Sequence, residues 1–67
     1  MTLQNFCAAL TNDVIINVTS NNEVVASFLR STYASIAPTY LAGTVSSIAL
    51  NVGGGSVKSV DVIITVQ

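Results

Sequence analysis

EVVASFLRSTYASIA, residues 23–37, decides the architecture of this chain, because the stretch reads either as a helix or as a strand. Its polar residues Glu23, Ser27, Arg30, Ser31 and Ser35 recur at spacings of three and four, which places them on one narrow helical stripe. The rest is mostly apolar: Val24, Val25, Phe28, Leu29, Tyr33 and Ile36. A strand requires alternation, and Phe28-Leu29 beside Val24-Val25 does not alternate. The periodicity therefore predicts a helix over 23–37. Ser20-Asn21-Asn22 offers capping residues ahead of it, and Glu23 suits the first turn. Pro38 would close it, since the residue before a proline disfavours the α region. A helix apolar around most of its circumference is buried on more than one side. One small sheet covers a single side, so the helix asks for a partner.

Outward from that stretch, Leu3, Phe6, Cys7 and Leu10 fall on one helical face, and Thr2 stands ready to cap a short helix over 2–10, with a strand as the alternative. Thr11-Asn12-Asp13 breaks it. Residues 14–19 read as a strand with Val14, Ile16 and Val18 on one face and Ile15, Asn17 and Thr19 on the other. After the connector 39–43, residues 44–52 place Ile48, Leu50 and Val52 opposite Ser47, Ala49 and Asn51. Gly53-Gly54-Gly55-Ser56 is a hairpin loop. Residues 57–66 form the clearest strand, with Val60, Val62, Ile64 and Val66 on one face and Val57, Ser59, Asp61, Ile63 and Thr65 on the other. The expected fold is a single small α+β domain over 1–67, ordered α-β-α-β-β and ending in an antiparallel hairpin. The first strand could join either strand of that hairpin, parallel to one of them, with helix 23–37 as the crossover. The alternative is an all-β meander.

Composition sets the function classes. The chain has 67 residues, and only 7% are charged: Asp13, Glu23, Arg30, Lys58 and Asp61. Ordinary globular proteins carry about 25%. Polarity comes instead from Ser, Thr and Asn, which enter an interface at lower cost than charges when they find hydrogen bonds. Subunit contacts are depleted in charge for the same reason. A chain this short buries only about 60% of its unfolded surface, so small domains add disulfides, metals or partner subunits. Cys7 is the single cysteine and there is no histidine, so neither a disulfide within the chain nor a zinc site of the usual N/S kind is available. Two basic residues cannot neutralise the phosphates of a nucleic-acid footprint or bind an anionic membrane. No basic and apolar leader of the secretory kind is visible. The charge-free run from Ser31 to Val57 is long enough for a bilayer, but Pro38, Asn51 and Gly53-Gly54-Gly55 interrupt it.

No constellation for catalysis emerges. General acid–base work needs positioned titrating groups, and Asp13, Glu23, Lys58 and Asp61 read as turn, helix-start and edge-strand residues. Cys7 lacks a base to stabilise its thiolate and reads as an inert buried residue. The glycine loop precedes a strand, where a phosphate-binding loop would open a helix. Asn17-Val18-Thr19 fits the glycosylation pattern but lies inside a strand.

The sequence therefore points away from an enzyme and toward a structural protein that self-associates into a homo-oligomer, filament, coat or virion-like assembly, with no cofactor and no metal. The expected interface residues are Ser27, Ser31 and Ser35, a small-residue stripe on helix 23–37, Tyr33 and Tyr40, as anchors or core, and Ile63 on the strand 57–66. The edge of that strand is the second expected contact, by strand pairing. Alternatives are a small protein-binding or inhibitor module and a membrane-associated, toxin-like peptide.

Overall fold

A computed structural model describes residues 1–66 of the chain. Helix α1 (Leu3–Ala9) is followed by strands β1 (Ile15–Ser20) and β2 (Glu23–Leu29). A 3₁₀ segment, Arg30–Ser35, and a one-turn helix α2 (Pro38–Leu41) lead into β3 (Thr44–Gly53) and β4 (Ser56–Thr65). The four strands form one mixed sheet in the order β2-β1-β4-β3. The outer pairs are antiparallel hairpins, and β1 runs parallel to β4 between them. The α+β class holds, and so do the first helix, the C-terminal hairpin and the parallel placement of the first strand.

The helix expected over 23–37 is not formed. Its first half is strand β2, and its second half is the 3₁₀ segment, kinked at Thr32. Two local features explain the misleading period. First, Asn21 and Asn22 adopt φ of 53° and 64°, so they make a tight turn between β1 and β2 rather than a helix cap. Positive φ at both central residues is the type I′ geometry whose twist matches paired strands, and asparagine tolerates it. Second, the register shifts opposite Val18/Thr19, where Val24 pairs with Thr19 and Ala26 with Val18. Val25 is the extra residue. A bulge of this kind moves the alternation out of phase by one, so Val24-Val25 looks helical in sequence. Pro38 also plays the reverse of its expected part: it starts α2 at the first helical turn, where its missing N–H costs nothing.

The core lies on one face of the sheet. Ile16 and Val18 of β1 and Val60, Val62 and Ile64 of β4 are buried beneath Leu3, Phe6 and Cys7 of α1. The spacing of three and four puts those α1 residues on one stripe, and Thr2 caps the helix by accepting the Asn5 N–H at 3.2 Å. Arg30 fastens the far end of α1, donating from Nε to the Cys7 carbonyl at 3.1 Å. Asp13 accepts the Ser31 N–H at 3.0 Å, tying the loop after α1 to the 3₁₀ segment. Val25, Ala26, Phe28, Tyr33, Ile36 and Tyr40 pack around the rim of this core.

The cover does not extend over β3. Register rows across the sheet read Phe28–Ile16–Val60–Leu50 and Ala26–Val18–Val62–Ile48. Along the first row Ile16 is fully buried, Val60 is 1% exposed and Leu50 is 58% exposed. Helix α1 has seven residues and β3 has ten. At 1.5 Å per helical residue against about 3.3 Å per strand residue, the helix spans about a third of the strand's length.

Candidate functional site

The four-stranded sheet leaves three surfaces open: its outer face, the apolar margin at β3, and the strand edges. On the outer face, a row of polar side chains crosses all four strands. Ser27 Oγ donates to Asn17 Oδ1 at 2.6 Å, and Asn17 Nδ2 donates to Asp61 Oδ1 at 3.0 Å. From the other side, Asn51 Nδ2 donates to Asp61 Oδ2 and to Ser59 Oγ, both at 3.0 Å. Register explains the row, since Asn17 lies between Ser27 and Asp61 and Asn51 lies opposite Ser59. Both carboxylate oxygens of Asp61 are engaged by amide donors, so the group acts as the hub of a cross-strand network. Exposed apolar residues flank the row, Ile15 and Leu29 toward one end and Val24 and Ile63 toward the other.

On the helix-bearing face, Ile48, Leu50, Val52 and Val57 form the exposed margin. Val57 reaches it through a second irregularity. Asn51 pairs with Ser59 and Val52 with Val57, leaving Lys58 as the extra residue, which turns Val57 onto the side of Val52. Between this margin and the end of α1 runs an apolar groove of about 250 Å³, lined by Leu10, Val14, Leu50, Val57 and Val60 among others.

The edges differ from the expected ones. β4 pairs on both sides, so it offers no free edge and cannot extend a neighbour's sheet; β2 and β3 are the edge strands. Asp61, paired on both sides, is therefore not an edge residue, whereas Lys58 lies just outside the β1 register as the extra residue of a bulge. The inward residues of β4, Val60, Val62 and Ile64, are buried in the middle of the sheet beneath α1.

The expected interface residues are dispersed. Ser27 is exposed on the outer face of β2, inside the polar row. Ser31 and Ser35 belong to the 3₁₀ segment, where Ser35 Oγ donates to the Thr32 carbonyl at 2.7 Å. With no helix over 23–37, the three serines do not form a stripe. Tyr33 and Tyr40 are half-buried against the core. Ile63 is 46% exposed on the outer face. Sequence reasoning did not single out Asn17, Asn51 and Asp61 as a unit, nor Ile48, Leu50 and Val52 as an open margin. The signal for the first was present: alternation alone puts all three on the outer faces of their strands. Only strand order brings them together.

Cys7 is buried, and loss of hydration pushes its thiol above the ordinary 9.0, with the Arg30 charge acting in the opposite sense. A protonated, enclosed thiol is a poor nucleophile. Among the described residues, no group of three or more His, Cys, Asp or Glu side chains gathers to hold a metal ion. Among the described residues, no helix is long and apolar enough to cross a membrane. No protein-family model matches the chain, and no curated protein and no solved structure is significantly similar to it.

Proposed function

We propose that this chain is a non-enzymatic structural subunit that associates with copies of itself. The observation that carries the reading is the exposure of large aliphatic side chains on both faces of the sheet. Ile15, Val24, Leu29 and Ile63 stand on one face and Ile48, Leu50, Val52 and Val57 on the other, in a chain with five charged residues. A monomer stays soluble through a charged surface free of apolar patches, and contiguous apolar patches mark sites of association. The polar row adds to this. Its members pair with one another, so the outer face can lose water there while Asp61 and Asn17 keep hydrogen-bond partners. A face of that kind suits coverage by protein and offers no reactive group for chemistry. Light scattering on a sizing column, with electron microscopy of the largest species, tests the proposal. The expected result is a mass of several chains in a defined ring, shell or fibre. A folded monomer of 6.9 kDa at all concentrations overturns it.

A second reading, a module that binds a different protein, draws on the apolar groove between α1 and the β3–β4 hairpin. It expects a monomer or dimer in isolation, so the same mass measurement separates the two.

A further inference from the structure

We infer that the open edge of β3 is the contact between two copies, pairing antiparallel about a two-fold axis at Leu50. This rests on the self-association proposed above and names the surface that performs it.

The two edges of the sheet are unequal. An edge strand presents unpaired N–H and C=O groups, and proteins blunt it with charge, proline, bulges or a covering segment. β2 carries Glu23 at its start, a bulge at Val25 and Arg30 immediately after its end. β3 has no charged residue and no proline. Its first part is covered by the chain itself: Val45 N–H donates to the Met1 carbonyl at 2.8 Å, and Leu3 N–H donates to the Gly43 carbonyl at 3.0 Å. Thr2 and Thr44 form an antiparallel bridge there. This edge therefore already accepts an added antiparallel strand, but only to Val45. Ser46 is then the extra residue of a bulge, and from Ser47 to Gly53 the edge is bare.

That bare stretch is complementary to itself. With Leu50 opposite the second copy's Leu50, Ile48 meets Val52, Ala49 meets Asn51 and Ser47 meets Gly53. Side chains directly opposite on antiparallel strands share a face, so every pair is apolar with apolar on the helix-bearing side. This register uses the whole length between the bulge and the turn. It places each copy's Met1–Thr2 segment next to the other's Gly54-Gly55 turn. The charge closest to the axis is Asp61, opposite Ala49, but it lies on the outer face, away from Ile48, Leu50 and Val52, and is engaged by Asn17 and Asn51. The pair would join two four-stranded sheets into one of eight, and the exposed Ile48–Leu50–Val52 row would be covered by its own counterpart. A foreign strand could satisfy the same backbone groups, but the charge-free, symmetric row favours a second copy.

The test uses three variants at exposed positions, so that folding is retained: Leu50→Lys, Leu50→Cys and, on the exposed side of α1, Gln4→Lys. Circular dichroism confirms the fold, and light scattering reads the mass. The expected result is that Leu50→Lys lowers the apparent mass at least twofold while Gln4→Lys leaves it unchanged. Oxidised Leu50→Cys should give a covalent dimer, with buried Cys7 unreacted. An oligomer whose mass resists Leu50→Lys and which yields no Leu50→Cys dimer overturns the β3 contact and leaves self-association standing. A wild-type chain that is monomeric at every concentration overturns both.

Discussion

The two hairpins of this sheet are built alike, yet their first strands end up in opposite conditions. β1–β2 and β3–β4 each turn on two residues of positive φ, Asn21-Asn22 in one and Gly54-Gly55 in the other. Each contains a bulge near its turn, and each contributes aliphatic residues to the helix-bearing face. Yet Ile16 and Val18 are fully buried, while Ile48 and Leu50 in the same register rows are 44% and 58% exposed. The difference is not one of strand chemistry. Helix α1 is too short to cover four strands, and the 3₁₀ segment after β2 folds back against α1, so the cover gathers over β1 and β4. An aliphatic strand residue thus reports a face and does not report whether anything lies on it.

The sharpest way to break this contrast is to truncate one residue from each hairpin. Ile16→Ala removes a fully buried side chain and should cost about 2–5 kcal/mol through lost transfer energy and the cavity left behind. Leu50→Ala in the same row should change the stability of the isolated chain by about 0.5 kcal/mol or less, as exposed positions do. Urea denaturation of both, at a concentration where the chain is monomeric, measures the difference. Equal losses would mean that β3 is covered in the monomer and that the asymmetry is wrong.

A smaller effect is expected where the hairpins are tied together on the outer face. Asp61→Ala withdraws the acceptor shared by Asn17 of one hairpin and Asn51 of the other. Stability should fall by about 1–3 kcal/mol, the usual range for leaving a donor without its partner. Since Asn17 is only half-buried and Asn51 is exposed, water can replace part of the loss, and the lower end is expected. Thermal unfolding of Asp61→Ala and Asn51→Ala, alone and combined, should show non-additivity; strict additivity would show that the row is not a network.

The turns come last. Gly55→Ala places a Cβ on a residue at φ 81° and should destabilise by about 1–2 kcal/mol. Asn22→Gly relieves a non-glycine residue at φ 64° and produces the Asn-Gly pair that type I′ turns prefer. Its expected effect is a gain of roughly 0.5 kcal/mol, the Asn side chain having tolerated the conformation only in part. Opposite signs at the two turns, read from denaturation midpoints, would confirm one geometry made from two chemistries. A loss on Asn22→Gly would show that the asparagine side chain holds the turn.

Much of the fold was legible in the sequence, for reasons that can be located. Leu3, Phe6 and Cys7 share a helical stripe, and Val60, Val62 and Ile64 alternate without interruption, so local period sufficed for α1 and for the inward face of β4. Gly54-Gly55 announces its turn because glycine reaches positive φ freely. The same reasoning failed at Asn21-Asn22, where capping and turning are both open to asparagine. It failed again over residues 23–29, where the bulge at Val25 shifts the alternation by one and Leu29 adds an apolar residue to the outer face.

By itself, then, the sequence determined whatever near neighbours along the chain dictate: the class α+β, a helical stripe near the N-terminus, the C-terminal hairpin, the side to which the residues of β1, Ser47–Val52 of β3 and Ser59–Thr65 of β4 point, and a surface almost without charge. Tertiary structure alone decided what depends on distant pairing. It made residues 23–29 a strand, because β1 stood ready to accept it. It placed β4 inside the sheet and β3 at the edge, and it brought Asn17, Asp61 and Asn51 into one row from three separate strands. Backbone hydrogen bonds between strands join residues far apart in sequence, and no local period records which strand will lie beside which.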